Sequence, residues 1–291
     1  MMFSIIIPTY NRAHFITHAI NSVLKQTYTN FELIVIDDGS TDNTEEIVEN
    51  FKNEKIIYHK IENSERSFAR NYGASVSKGD YINFLDSDDT LYPNHLSEAI
   101  QFIKKNNGPE IFHLNYDIKN SVGNVVQERM INTGDLNLNL VKRGNKLSCN
   151  GVFLRKDICI KHPFNIELSQ SEDYELWLRL AAEYSIQYSN TVTSSVVNHQ
   201  NRSIFYIEQN YLIDQFQIQI DALNQNKKFI EKYGNYLNHI NANNYSYISL
   251  HSALGKENRF FSIKYLFKSL KLKPQIVFSK RFLAIVKHLI I

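Results

Sequence analysis

The sequence predicts an α/β fold in which a mostly parallel central sheet carries helices on both faces and a helical segment follows it. Short apolar segments that suit buried strands alternate with helix-patterned segments through the first 90 residues. Such alternation is typical of strands that pair in parallel through helical crossovers. A hydrophobic content of 43%, with 10 Gly and 5 Pro, permits a large core and argues against long disordered segments.

Four strands and their connecting helices are predicted in the N-terminal part. Apolar residues recur at helical spacing across about residues 13–26, which predicts the first helix. Ser40-Thr41-Asp42, followed by Glu45, predicts a capping box at the start of the second helix. A third helix contains residues 68–76. The predicted strands are Phe3–Ile7, Glu32–Ile36, Ile56–Tyr58 and Tyr81–Leu85.

The rest of the chain is predicted to be less regular and then helical. A helix follows Pro93, another opens at Ser171, and residues 132–145 form a polar, mobile loop. Gly151 either permits a close backbone approach or forms a bulge. Helices dominate from Ile204 onward, with a break at Pro274 and a last helix over Val277–Ile291. The additional strands are Glu110–Tyr116, Asn124–Ile131, Leu147–Leu154 and Ile186–Val197.

The composition restricts the class of protein. The two cysteines provide neither a disulfide framework nor zinc-ligand spacing, so a reducing compartment is expected. No basic segment precedes the first strand, and no apolar run approaches the roughly 20 residues of a spanning helix. These features predict a cytoplasmic protein without a signal peptide.

The net charge of +2 is unevenly distributed along the chain. Residues 256–291 contain nine Lys or Arg and one acid, so the remainder of the chain is acidic. An acidic body argues against nucleic-acid binding. The basic tail, in which Lys alternates with apolar residues, either lies on an anionic membrane, at the inner face, or forms a helical cap with its lysines in water.

Polar and acidic loops follow three of the predicted parallel strands: Pro8–Arg12, Asp37–Ser40 and Asp86–Asp89. The carboxyl ends of parallel strands share one edge of a sheet, where ligands bind in folds of this kind. Neither GxGxxG nor GxxxxGK[ST] occurs in the sequence, so phosphate binding must depend on a metal ion and on basic side chains such as Arg66 or Arg70.

A metal site is predicted directly after the fourth strand. Asp86 and Asp88 alternate along the chain, so both should point to the same face, roughly 7 Å apart. Carboxylate oxygens suit a hard cation such as Mg²⁺ or Mn²⁺, which can neutralise a diphosphate. The simpler interpretation of this short motif is a solvated acidic turn.

The order and spacing of these motifs resemble family 2 glycosyltransferases with the GT-A fold, over roughly residues 3–200. The residues that carry the resemblance are Ser4–Arg12, Gln26-Thr27, Glu32–Asp42, Ala69–Gly73, Gly79–Ile82, Leu85–Asp89, and Glu172-Asp173 with Trp177 and Arg179.

The resemblance implies individual roles. Asp88 would hold the metal ion, with Asp86 at the ribose or beside the metal, and Asp173 would be the general base. Glu172 is an additional candidate beside it. From the residues alone, acids at a helix start are more often caps, and a lone His such as His199 is more often structural or solvated. The implied nucleotide- and donor-binding residues are Pro8, Thr9, Tyr10, Arg12, Asp38, Arg70, Asp86 and Ser87.

The predicted function is an inverting, metal-dependent transfer of one sugar from a nucleotide sugar, such as a UDP-sugar, to a glycan or lipid-linked acceptor in surface polysaccharide synthesis. The Gln-x-x-Arg-Trp signature of processive synthases is absent from the sequence. A sugar nucleotidyltransferase and a non-catalytic nucleotide-sugar binder are the alternatives. A catalytic domain is predicted over residues 1–203, with its nucleotide half at about 1–90 and its acceptor half at about 91–203. A C-terminal extension over 204–291, basic from 256, would follow it.

Overall fold

The computed structural model describes residues 1–128, 134–199, 208–255 and 259–290. The chain divides into two compact units, which are described separately. The first comprises residues 1–136, 146–176 and 184–202, and the second comprises residues 137–145, 177–183 and 203–291. The predicted boundary at residue 203 stays a prediction.

The first unit is built on one nine-stranded sheet, confirming the predicted α/β class. Its strands are β1 Phe3–Thr9, β2 Phe31–Asp37, β3 Ile56–Lys60, β4 Tyr81–Phe84, β5 Thr90–Leu91, β6 Ile111–Asn120, β7 Val125–Glu128, β8 Val152–Arg155 and β9 Gln187–Asn198. The helices up to β9 are α1 Ala13–Leu24, α2 Thr44–Glu49, α3 Glu65–Val76, α4 His95–Lys105, α5 Leu136–Arg143, α6 Lys156–Lys161 and α7 Glu172–Glu183.

The strand order is β3-β2-β1-β4-β8-β6-β9-β5, with β7 beside β6. Neighbours from β3 to β4 are parallel, as the alternating pattern predicts. Beyond β4, strand β8 runs antiparallel to both of its neighbours, β4 and β6. Strand β9 then runs parallel to β6. Since β1 lies between β2 and β4, the loops that follow these three strands emerge at one edge of the sheet.

The core covers both faces of these strands. Ile5, Ile7, Leu33 and Val35 are fully buried and pack with the buried stripe of α1. On α3, a methyl group at Gly73 would come within 2.5 Å of the Ile6 side chain, so the absence of a side chain lets this helix lie directly on the sheet. Such close packing fixes where the strand ends lie.

Two local predictions are wrong. Asp42 does not cap α2 together with Glu45: its carboxylate accepts hydrogen bonds from the backbone N–H groups of Thr44 and Ala13, while Glu45 pairs with Lys60. The predicted loop over residues 132–145 contains α5, whose Leu140 and Val141 are buried. The polar composition of that segment misleads because Asn137 is buried as well, with its side-chain amide bonded to the Ala181 carbonyl.

The predicted strand over Leu147–Leu154 begins later than expected. Residues Cys149–Gly151 form a 3₁₀ turn, and β8 begins at Val152. A methyl group at Gly151 would lie 2.4 Å from the Leu114 carbonyl oxygen. Gly151 therefore permits a close backbone approach, which is one of the two interpretations of its sequence position.

The second unit is helical. Beyond its portions of α5 and α7 it contains α8 Gln209–Gln225, α9 Lys227–Tyr233, α10 Leu237–Leu254, α11 Arg259–Leu272 and α12 Lys280–Ile290. Helices α10 and α11 approach closely through small residues, since Ser249 and Ser262 each donate a hydroxyl hydrogen bond of 2.8 Å to the other's carbonyl. The last helix begins at Lys280, after a 3₁₀ turn over Pro274–Phe278, rather than at Val277. No helix in the described ranges is long and apolar enough to cross a membrane.

The substitution Gly151→Ala should lower the free energy of unfolding by about 1–3 kcal/mol, because the added methyl group would push β8 away from β6. Denaturant titration measures the change. Gly255→Ala is the control, since its nearest new neighbour is the His251 carbonyl oxygen at 3.6 Å. Equal stability of the Gly151→Ala variant and the parent protein would contradict the close approach.

Candidate active site

The loops after β1 and β2 are joined by Asn11. Its backbone has φ of 51°, in the left-handed region that Asn tolerates better than most residues. Its side-chain oxygen accepts hydrogen bonds from the backbone N–H groups of Thr41 and Asp42, and its own N–H donates to the Ser40 hydroxyl. The resemblance assigns no individual role to Asn11, yet it holds two candidate donor-binding loops together.

Thr9 and Asp38 lie side by side at this edge. The Asp38 N–H donates to the Thr9 carbonyl over 2.8 Å, and the Asp38 carboxylate accepts from the Ser64 N–H over 2.7 Å. Burial raises the pKa of Asp38, and the hydrogen bonds that its carboxylate accepts from the Ser64 and Glu65 backbone N–H groups oppose that rise. The buried hydroxyl of Thr9 has no hydrogen-bond partner among the described residues. That hydroxyl is thus available to a ligand.

The other candidate donor-binding residues lie around this pair. Pro8 belongs to β1 and Tyr10 is exposed, while Arg12 stands at the start of α1. Asp37, the neighbour of Asp38, is structural: its carboxylate accepts hydrogen bonds from the Ser40 N–H and the Tyr58 hydroxyl.

Asp86, Asp88 and Asp89 form a tight acidic turn after β4. The Asp89 N–H donates to the Asp86 carbonyl, and each of the three carboxylates has an oxygen within 4.8 Å of the others. A turn, rather than a continued strand, therefore brings the carboxylates together. Ser87 is buried within it. Asp89 also accepts from the Val197 N–H over 2.9 Å, so it ties the turn to β9.

Arg70 joins this turn to the start of α7. Its two terminal nitrogens lie 2.7 Å from Asp86 and 2.7 Å from Glu172, and its side chain is only 2% exposed. Each pairing is a charge-assisted hydrogen bond, about twice as strong as a neutral one. Because Glu172 and Asp173 are adjacent, Arg70 fixes the position of the predicted base relative to the acidic turn. The cap interpretation of Glu172 is therefore incomplete.

Asp173 as a whole residue is partly exposed to solvent, while its carboxyl group is densely surrounded by protein atoms. Burial and then the neighbouring Glu172 carboxylate raise the pKa of Asp173 to about 7, while Arg70 and the Tyr174 N–H act in the opposite direction. A carboxylate with a raised pKa accepts a proton more readily than one in water, as general-base catalysis near neutral pH requires.

His199 is the residue whose position the sequence alone does not reveal. The pairing of Thr90 with Ser195 and of Leu91 with Ser194 places the end of β9 beside the acidic turn. The His199 Nε2 atom lies 3.0 Å from Asp88, and its ring stacks on Phe15 at 4.4 Å. Its buried Nδ1 atom has no hydrogen-bond partner in the described part of the chain. His199 is thus buried beside the predicted metal ligand, not solvated.

Comparisons with known proteins identify the family of the chain. The family described as glycosyl transferase family 2 matches residues 4–158, slightly more than half of the chain. The chain belongs to glycosyltransferase family 2. Membership of this family favours glycosyl transfer over both alternatives, the nucleotidyltransferase and the non-catalytic binder.

Two relatives illustrate the range of the family. The chain is 36% identical over 188 residues to the Escherichia coli enzyme WfgD, a UDP-Glc:alpha-D-GlcNAc-diphosphoundecaprenol beta-1,3-glucosyltransferase, covering 64% of this chain and 72% of WfgD. It is 33% identical over 198 residues to a glycosyltransferase of Rickettsia conorii, covering 65% of this chain. The chain spans only about a third of the length of that relative, 33%.

A solved structure confirms the GT-A fold. The chain superposes on residues 1–349 of Staphylococcus aureus TarS, crystallised with UDP-GlcNAc, with a TM-score of 0.66 and 17% sequence identity. The match covers 94% of this chain and 91% of the TarS chain. At this identity the likeness supports the fold alone.

Replacement of Arg70 should destabilise the protein strongly. Arg70→Met would leave the buried Glu172 carboxylate without its main cation, at a cost of about 3 kcal/mol in the free energy of unfolding. Arg66→Met is the matched control, because Arg66 is 36% exposed and lies 4.0 Å from Glu172. We expect it to cost less than about 1 kcal/mol. Equal losses in chemical denaturation would contradict the bridging role of Arg70.

The raised pKa of Asp173 predicts a pH-dependent stability difference. The unfolded chain loses this proton near the ordinary value of 3.8 and the folded chain near 7, so the group lowers stability as pH rises between these values. Asp173→Asn should therefore be about as stable as the parent near pH 4 and more stable by about 4 kcal/mol at pH 8, since each pKa unit corresponds to about 1.4 kcal/mol. Thermal unfolding across that range measures the difference. A stability difference that does not change with pH would show that the pKa is not raised.

Proposed function

We propose that this chain transfers a single sugar from a nucleoside diphosphate sugar, a UDP-sugar in the first instance, to a lipid-linked or glycan acceptor with inversion at the anomeric carbon. The observation that carries the proposal is the link from the Asp86–Asp89 turn through Arg70 to Glu172 and Asp173. It combines a cation-binding turn with a base of raised pKa, the two groups that a single displacement requires.

The nucleoside is assigned to the edge formed by Thr9 and Asp38. The Thr9 hydroxyl can exchange hydrogen bonds with a base or ribose, and an ionised Asp38 can accept from an N–H group of the base. Both side chains are nearly fully buried, at 3% and 4% exposure, so a group bound there would be shielded from water. Tyr10 is exposed beside them and offers an aromatic face.

A divalent cation, Mn²⁺ or Mg²⁺, is proposed at Asp88, with Asp86 nearby and His199 as a further ligand. Two carboxylates suit either ion, while an imidazole nitrogen favours the transition metal Mn²⁺ over Mg²⁺, and His199 and Asp88 already lie 3.0 Å apart. When bound, it would supply positive charge to the departing diphosphate. Asp89 is assigned to holding the turn, because its carboxylate is bonded to β9.

Asp173 acts as the general base. Its carboxylate accepts the proton of the acceptor hydroxyl as the oxygen attacks the anomeric carbon and the bond to the diphosphate breaks. Arg70 positions Asp173 through Glu172 rather than touching the reacting atoms. One base suffices for inversion, since no covalent sugar–enzyme intermediate has to form.

The acceptor and location are proposed from the relationship to WfgD, whose acceptor is a lipid-linked diphosphate. An acceptor of this class would place the enzyme at the cytoplasmic face of a membrane, within surface polysaccharide synthesis.

Screening of UDP-, GDP- and dTDP-sugars for turnover tests the proposal. With the best donor, Asp173→Asn should lower kcat by about 10²- to 10⁴-fold and leave UDP affinity within about threefold. Glu54→Gln, which changes an exposed carboxylate in the loop before β3, is the control and should retain full activity. NMR of the product reports the anomeric configuration. Full turnover of the Asp173→Asn variant, or a product with retained configuration, would refute the mechanism.

Metal dependence has a separate test. Asp88→Asn and His199→Gln should each weaken Mn²⁺-dependent UDP binding by about 10- to 100-fold in titration calorimetry, because each removes a proposed ligand. Asp80→Asn, at an exposed carboxylate, serves as the control. If the parent protein binds UDP equally well with Mn²⁺ and with a chelator, the assigned metal site is wrong.

A further inference from the structure

Helix α11 carries apolar residues on two opposite faces. Its inner face, which includes Tyr265 and Leu266, is buried, and its small residues Ser262 and Ser269 bond to α10. The outer face presents Phe260, Ile263 and Phe267 at the spacing of one helical stripe. Phe260 is 79% exposed and Phe267 is 68% exposed. A helix that packs on its unit through one apolar face normally presents polar residues on the opposite face, so this second apolar stripe is unusual.

Large apolar side chains are also exposed on the two elements that follow α11. Phe278, in the turn between α11 and α12, is 88% exposed. On the outer side of α12, Leu283 and Ile290 are 63% and 75% exposed. Large apolar side chains on three consecutive elements form more than the scattered exposure of an ordinary surface.

Basic side chains accompany these apolar residues. On α11, Lys264 and Lys271 follow Phe260 and Phe267 by four residues, and Lys268 follows Lys264 by four, so these lysines lie along the phenylalanine stripe. Lys280 and Lys287 stand on the exposed side of α12. The described residues 259–290 contain eight Lys or Arg and no Asp or Glu. The row on α11 is Lys264, Lys268 and Lys271.

We propose that this surface, formed by the outer faces of α11, α12 and the turn between them, docks on an anionic lipid bilayer. A bilayer offers negative headgroups and an apolar layer within one side-chain length of each other, which matches a phenylalanine stripe beside a lysine row. A second copy of the chain would instead bring two surfaces of net positive charge together. This charge argument favours a membrane over self-association.

The inference deepens the membrane location proposed above and rests on that function only in part, because it concerns binding and not sugar transfer. The surface belongs to the second unit, and every proposed catalytic residue belongs to the first. Variants of the surface should therefore keep UDP affinity and turnover on a water-soluble acceptor.

Vesicle co-sedimentation of the full chain tests the proposal. The protein should bind vesicles of phosphatidylcholine with phosphatidylglycerol and not those of phosphatidylcholine alone. Binding should weaken between about 0.15 M and 1 M salt, because the screening length falls from about 8 Å to about 3 Å. Equal binding to both vesicle types, or to neither, would overturn the proposal.

Two groups of variants separate the apolar and charged contributions. Replacing the three phenylalanines by serine should weaken binding by about tenfold or more. Neutralising four lysines should weaken it by about 600-fold, at roughly fivefold for each charge. The substitutions are Phe260→Ser, Phe267→Ser and Phe278→Ser in one variant, and Lys264→Gln, Lys271→Gln, Lys280→Gln and Lys287→Gln in the other.

Matched controls lie on the first unit. Val125→Ser with Val126→Ser removes exposed apolar side chains from β7, and Lys104→Gln with Lys105→Gln removes exposed charge from α4. Both control variants should bind vesicles as the parent does. If sedimentation velocity instead shows a lipid-free dimer that the serine variant abolishes, the surface is an interface between copies and the membrane proposal is wrong. Transfer activity of all variants is measured separately, so failure of the docking proposal leaves the proposed reaction untouched.

Discussion

The buried guanidinium of Arg70 is the interaction on which the rest of the candidate site depends. Glu172 is almost completely withdrawn from water, and the Arg70 guanidinium meets its carboxylate at hydrogen-bond distance, which offsets the cost of burying this acid. Arg70 meets Asp86 at the same distance on its other terminal nitrogen. One side chain thus compensates two acids from different parts of the chain and fixes their separation.

This constraint has an electrostatic consequence for Asp173. Glu172 makes a proton on Asp173 more favourable, and Arg70 makes it less favourable. Because Arg70 is paired with Glu172, the negative charge of Glu172 partly cancels the effect of the Arg70 charge on Asp173. The environment therefore leaves Asp173 more basic than an ordinary aspartate, while its neighbour is paired. Two adjacent acids acquire different behaviour from their surroundings alone.

Much of the fold could be predicted because local patterns and the global sheet agree in the N-terminal part. Strands β1 to β4 are short apolar segments with helices between them, and periodicity identifies such units well. Periodicity failed in residues 136–143, where a helix with a polar outer face has the composition of a loop. The capping box after β2 failed for another reason: Asp42, in the loop before α2, accepts a hydrogen bond from the first residue of α1, a long-range contact that no local pattern encodes.

The site residues likewise divide into those that local motifs indicate and those that long-range contacts bring into place. Asp88 and Asp173 occur in motifs, so sequence resemblance proposes them, although only ligand-binding and kinetic experiments can test their roles. His199 lies outside the motifs of the resemblance, and Asn11 lies within the Ser4–Arg12 motif but receives no individual role from it. Their positions follow from long-range events, the pairing of β5 with β9 and the packing of two loops, which a single sequence does not specify. Arg70 is intermediate: its motif is recognisable, but its two carboxylate partners are not.

The pairing of His199 with Asp88 joins residues 111 positions apart, and that of Arg70 with Glu172 joins residues 102 positions apart. During synthesis, the parallel strands β1 to β4 can assemble while the later segments are still being translated. Asp88 and Arg70 therefore remain without His199 and Glu172, their later partners, until more than a hundred further residues have been synthesised. The nascent chain consequently passes through a stage that has a sheet but no finished site, which is when chaperones would engage it.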